Sequence, residues 1–270
     1  MDLKAALGLT PGELVALVGA GGKTTAAWRL LHQLVDSGER VVFTTTTRIF
    51  RPRNMPLLLA PDPDPAEMAR RLAQAPALVL AAGPGESGEP EHAARSPYPA
   101  DPVKLAGLEP EVLSDLARQM PRQLPQRLPH VTWLVEADGA KGRLLKAPAA
   151  HEPVIPSGTD RVVVVAGLGA IGETLDERTV HRPRIAARLL GVSLGVTVTP
   201  ELFAALVGHP SGGLKGIPTS AEVIVLLMQW DERPCAHADA VARRLLSGRR
   251  IARVILADLR VSDSVAKTWP

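Results

Sequence analysis

The chain reads as an α/β protein built on a doubly wound, mostly parallel sheet of the P-loop nucleotide-hydrolase type, in three layers. Three observations lead there. A strand pattern, a glycine-rich turn and an amphipathic helix open the chain and run into a second strand pattern. Short apolar runs then alternate with helical patterns along the rest of the sequence, and parallel neighbours need such crossovers. Hydrophobic residues make up 46% and charged residues 22% of the 270 positions, the balance of a globular core.

Taken in order, residues 13–18 predict a buried strand. Residues 24–35 place Ala27, Leu30, Leu31, Leu34 and Val35 on one helical face, and Gly38 closes that helix. Residues 40–44 form the second strand. Apolar runs at 77–82, 131–137, 161–166, 222–227 and 254–257 extend the sheet, with helical patterns at 109–120, 177–190, 200–207 and 238–246. Residues 83–102 are rich in Gly, Pro and Glu, lack periodicity and read as a long loop or flexible excursion. No repeat or composition break divides residues 1–270, so a single domain is expected.

Composition narrows the function classes. Cys235 is the only cysteine, which excludes a disulfide framework or a multi-cysteine metal cluster and suits a reducing cytosol. The longest apolar and glycine run, 162–172, is shorter than the roughly 20 residues of a membrane span. Residues 1–4 lack the pattern of a signal peptide. A cytoplasmic protein without a membrane partner is expected. The net charge is +3 and no basic run exceeds two residues, so nucleic acid is not an expected partner. Only seven of the 31 basic residues are lysines. Lys23, Lys141, Lys146 and Lys215 lie in Gly- or Pro-rich segments, where a compact point charge has uses that an arginine fork does not.

The segment Gly19-Ala20-Gly21-Gly22-Lys23-Thr24-Thr25 stands between a strand and a helix. Converging backbone N–H groups and the positive end of a helix suit a phosphate. Lys23, expected to face solvent, would meet the β- and γ-phosphates, and the Thr24 hydroxyl would ligate Mg²⁺. The loop is shorter than the strict G-x-x-x-x-G-K-[ST] pattern, because Leu17 stands where that pattern needs glycine. It resembles the variant of ATP-dependent Mur-type ligases. Thr45 and Thr46, in the run 44–47, either face a nucleotide from a strand's carboxyl end or serve only as β-branched strand residues. Glu136 and Asp138 end an apolar strand before Gly139. Asp138 is the first choice for the metal-side acid and Glu136 the second. The segment 139–156 gathers Lys, His and Glu between Pro and Gly, a setting for substrate positioning or a general base. A rival signal is Gly167-x-Gly169-x-x-Gly172, the dinucleotide fingerprint; it would need a helix opening inside the motif and an acid ending the next strand.

Together, residues 18–25, 44–48, 136–139, 146–148, 151–153, 180–182 and 213–216 resemble, in order, the YqeC-like family of accessory proteins of selenium-dependent molybdenum hydroxylases. The resemblance implies a nucleotide-binding protein serving selenium-cofactor maturation, with a molybdenum hydroxylase or a selenium or cofactor donor as partner. It also implies site roles: Lys146 and Glu152 beside the acids, and His181, Arg182 and Lys215 at the ligand. Met228 stands where the family carries an Asn ahead of Asp231, as guanine-specifying loops do, so ATP is slightly favoured over GTP. The expected activity is a Mg²⁺-dependent nucleoside triphosphatase. The alternatives are a nucleotide-gated binding protein or chaperone with little hydrolysis, and an NAD(P)-linked oxidoreductase built on residues 167–172.

Overall fold

Fourteen strands and seven helices make up the computed structural model, which describes residues 1–87, 100–125, 130–228, 236–259 and 265–270. The amino-terminal half contains α1 (Leu3–Leu7), β1 (Leu14–Gly19), α2 (Lys23–Asp36), β2 (Arg40–Thr45), β3 (Arg48–Pro52), β4 (Leu57–Leu59), α3 (Pro65–Gln74), β5 (Ala77–Ala81), β6 (Gly83–Ser87), β7 (Ala100–Ala106), α4 (Pro110–Gln123) and β8 (Val131–Glu136). Then follow β9 (Leu145–Lys146), β10 (Arg161–Gly167), β11 (Val180–His181), α5 (Pro183–Leu190), α6 (Pro200–Val207), β12 (Glu222–Met228), α7 (Ala236–Leu246), β13 (Arg253–Ala257) and β14 (Val265–Trp269).

Nine strands form one sheet in the order β14-β13-β12-β10-β1-β8-β2-β5-β4, parallel throughout except for β14. Both faces are covered, which is why the central strands are continuous apolar runs without polar alternation. Along β1, Val15 and Leu17 face α1 and α2, packing with Leu30, Leu31, Leu34 and Phe43. Ala16 and Val18 point the other way, into the layer of α5, α6 and α7 with Ala186, Phe203 and Val241. On that second face, α3 and α4 cover Val42, Trp133 and Val135 through Leu72, Leu113 and Met120. The expected three layers are present.

Two expectations change. The helix expected over 177–190 starts only at Pro183; residues 180–181 form β11, paired in parallel with β9. Proline is favoured at the first helical position and pushes the residue before it out of the helical region, and Arg182 sits at φ +63°. Part of the loop expected over 83–102 is strand: β7 pairs antiparallel with both β3 and β6 in a small sheet ordered β3-β7-β6. Its pairings carry register shifts, so the sequence shows no clean alternation there. Residues 88–99 lie outside the described residues.

The rival dinucleotide reading lacks both of the features it needs. β10 leads into a single 3₁₀ turn over Leu168–Ala170, not into a helix, and residues 196–198 contribute only an isolated bridge between Thr174 and Thr197. The chain leaves β1 through α2 for β2 on one side, and later crosses to β10 on the other. β1 is therefore the switch point of the sheet, and the crevice beyond its carboxyl end is where such sheets hold ligands.

Candidate functional site

At that crevice the turn from β1 to α2 is pressed against β10. Gly19 has φ +96°, and a Cβ there would lie 2.3 Å from Val165 O. Gly21 has φ +79°, and its Cβ would lie 2.5 Å from Gly167 N. No L-residue with a side chain fits either place without moving backbone. Three loop amides already have protein acceptors: Gly19 donates to Asp138 Oδ2 (3.0 Å), Ala20 to Val165 O (2.9 Å) and Gly21 to Arg143 O (2.8 Å). Donors that suit a ligand therefore begin at the first turn of α2, whose N-cap, Gly22, has no side chain to satisfy them.

Lys23 does not face solvent. It is 6% exposed, because its ammonium folds back onto Gly19 O (2.5 Å) and Asp138 Oδ1 (3.0 Å). Asp138 is also buried and meets a second lysine: Lys146 Nζ lies 3.0 Å from Oδ2, 2.6 Å from Gly139 O and 2.9 Å from Glu152 Oε2. Glu152 is held in turn by the Arg182 guanidinium. A chain of alternating charge thus runs Lys23–Asp138–Lys146–Glu152–Arg182. Lys215 Nζ grips the same loop through the carbonyls of Ala149 and Ala150.

Glu136 differs from Asp138. Burial pushes its carboxyl above the usual range; the Lys23 charge and a Thr24 hydroxyl hydrogen bond oppose the shift, and the Asp138 charge adds to it. Among the described residues its Oε1 has no hydrogen-bond partner; Asp138 Oδ1 has none either, but it lies 3.0 Å from the Lys23 ammonium. For Glu152, burial works against ionisation, but hydrogen bonds and charge from Arg182 and Lys146 prevail and hold the carboxyl down to about 2. His181 faces Lys146 across the β9–β11 ladder. Burial, then the charges of Arg182, Lys146 and Lys141, hold its imidazole down to about 4, against a smaller pull from Glu152.

The threonines act as struts. Thr45 Oγ1 donates to Glu136 O (2.7 Å) and Thr46 Oγ1 to Val154 O (2.6 Å), which ties down the end of β8 and the loop beside it. Thr24 is half-buried beside Glu136, and Thr25 is buried in α2. Met228 closes β12 with 1% exposure and lies under the loop: its Cε would be 2.9 Å from a Cβ on Gly22. It forms a floor for the turn. Residues 229–231, the remainder of the base-selecting segment considered above, lie outside the described residues.

The structure therefore gathers Lys23, Thr24, Glu136, Asp138, Lys146, Glu152 and Arg182 at one end of the sheet. The reading of sequence missed that Lys146 shares the carboxylate of Asp138. The two-residue β9 that delivers it has no periodic signal. Lys141 was noted only for its composition, and its charge reaches His181. Among the described residues no group of three or more His, Cys, Asp or Glu side chains is placed to hold a metal, and no helix is long and apolar enough to cross a membrane.

Fold and site together define a class: a three-layer α/β protein with a buried lysine–carboxylate cluster at the switch point of a mostly parallel sheet. Within that class the chain belongs to the YqeC protein family, whose model matches residues 15–184. That span contains the whole charge chain from Lys23 to Arg182 but not Lys215. The chain is also 29% identical over 257 residues, 95% of its own length and 91% of the relative's, to YqeC of Escherichia coli (strain K12), itself described as uncharacterized. No solved structure matches it.

Proposed function

We propose that this chain is a Mg²⁺-dependent nucleoside-triphosphate-binding protein with a P-loop-like turn, a triphosphatase acting as an accessory factor in selenium-cofactor maturation of molybdenum hydroxylases. The accessory role rests on the family. The nucleotide role rests on one observation above the rest: Glu136, buried and with an oxygen that finds no hydrogen-bond partner among the described residues, stands beside the Thr24 hydroxyl at the start of α2. A buried orphan acceptor calls for an explanation, and a cation between it and bound phosphates supplies one. Mg²⁺ takes one or two carboxylates and completes its shell with water and phosphate oxygens, so this sparse donor set fits it.

In this reading Thr24 and Glu136 hold the metal, in place of the Thr24–Asp138 pairing first expected, because the Thr24 hydroxyl bonds Glu136, whereas Asp138 is ion-paired with Lys23 and Lys146. Bound there, Mg²⁺ would shield the phosphate oxygens and draw charge from the scissile anhydride. The open amides of α2 receive phosphate oxygens. Thr45 and Thr46 keep the end of β8 in register with them. Arg182 and Lys215 hold the 149–152 loop at the site's edge. A second reading, a nucleotide-gated binding protein with slow turnover, draws support from the Lys23–Asp138 pair, since entry of a nucleotide must open it.

The test is a melting-shift panel with ATP, GTP and NAD, each with and without Mg²⁺. A ligand at 100 times its dissociation constant stabilises by about 2.7 kcal/mol. The reading requires a shift with a triphosphate that Lys23→Ala abolishes, and a further Mg²⁺-dependent part that Glu136→Gln removes. A shift with NAD alone, or none with any triphosphate, overturns it. Phosphate release with and without a molybdenum hydroxylase then separates turnover from gating.

A further inference from the structure

Asp138 is held as a bound anion would be. Oδ1 meets the Lys23 ammonium, and Oδ2 meets both the Lys146 ammonium and the Gly19 amide, each at 3.0 Å, in a setting where the carboxylate is 4% exposed. Two ammonium groups and a glycine-loop N–H around one buried oxyanion are the donors that hold a phosphoryl group. We propose that Asp138 is an internal stand-in for a phosphoryl group, and that Lys23, Lys146 and the Gly19 amide form a two-lysine phosphoryl subsite that the carboxylate vacates when a phosphate anhydride binds.

Three further features carry this. Among the described residues, Asp138 is the one carboxylate in ion-pair contact with Lys23, while Glu136 feels its charge without such a contact, so an incoming anion restores the contact that the departing one removes. Lys146 keeps Glu152, itself clamped by Arg182, and stays in place through the exchange. Gly139 follows Asp138, and a Cβ there would meet nothing within 4 Å, so the turn that carries the carboxylate is not packed against a neighbour at its next residue. The inference rests on the site being one for phosphates, and adds Lys146 as its second cation.

The experiment is calorimetric titration of the full chain with inorganic tripolyphosphate in metal-free buffer. Asp138→Asn removes the competing charge and should raise affinity by about tenfold or more, since the incoming anion no longer displaces a carboxylate from the two lysines. Adding Lys146→Gln to that variant should abolish the gain. Unchanged or weaker binding by Asp138→Asn overturns the proposal, as does a double variant that keeps the gain. Should Asp138→Asn fail to fold alone, folding restored by tripolyphosphate supports the proposal, and no restoration overturns it. The two readings fail separately. If Mg²⁺-nucleotide binds the parent chain while Asp138→Asn gains nothing for tripolyphosphate, the subsite is wrong and the function stands. If tripolyphosphate behaves as stated and no nucleotide binds, the subsite stands and the nucleotide is wrong.

Discussion

His181 stands directly opposite Lys146 in the two-stranded β9–β11 ladder, so a half-buried imidazole is set beside a buried ammonium. With Arg182 next in sequence and Lys141 within electrostatic reach, the surroundings favour the neutral ring. The folded state thus resists a proton that the unfolded chain accepts.

That difference has a sign. Between pH 6.5 and about 4 the unfolded chain binds a proton at His181 and the folded chain does not, so stability falls as pH falls through that window. Urea midpoints measured from pH 7 to 4 should show a shallower decline in His181→Gln. An unchanged slope would show that the imidazole is already charged in the native state.

Glu152 acts in a lower window. Its carboxyl is held down to about 2, so its contribution is complete above about 4.5 and fades as pH falls toward 2. Glu152→Gln should cost about 2 kcal/mol at pH 7, after allowance for solvent screening, and remove part of the decline between pH 5 and 3. Equal stability of the two proteins at pH 7 would mean that Arg182 and Lys146 find other partners.

The glycine loop offers a purely steric prediction. Gly21→Ala places a Cβ 2.5 Å from Gly167 N and 2.7 Å from Leu144 O at φ +79°, and should cost about 2–4 kcal/mol in chemical denaturation. Gly139→Ala has open space and should change stability by less than about 0.5 kcal/mol. Similar losses at both positions would mean that the loop does not pack on β10 as described.

Base preference is the fourth prediction. Met228 has no amide with which to hold a guanine-reading carboxylate, and its side chain is already committed beneath Gly22. Competition between ATP and GTP should therefore find ATP bound at least as well. A clear preference for GTP would place base reading on other residues.

Local pattern and long-range convergence divide what could be read in advance. Strands β1, β2, β5, β8, β10, β12 and β13 show as apolar runs because both faces of the sheet are buried, whereas the three-residue β4 at its edge gave no signal, and α6 matches its expected bounds, with Thr199 as its cap and Pro200 at its first turn. The Gly-Lys-Thr-Thr turn between β1 and α2, and the acids at the end of β8, were equally legible, because strand, glycine and helix signals all act within a few residues. What those side chains do was not. That Lys23 is buried, that Lys146 shares Asp138 with it, that Thr45 and Thr46 spend their hydroxyls on backbone carbonyls, and that Glu136 keeps an oxygen unpartnered among the described residues all follow from segments far apart in sequence meeting at the carboxyl end of the central strands. A sequence pattern states which residue types are present. Only the tertiary arrangement decides which charges are desolvated together, and in a buried site that pairing determines what each group can do.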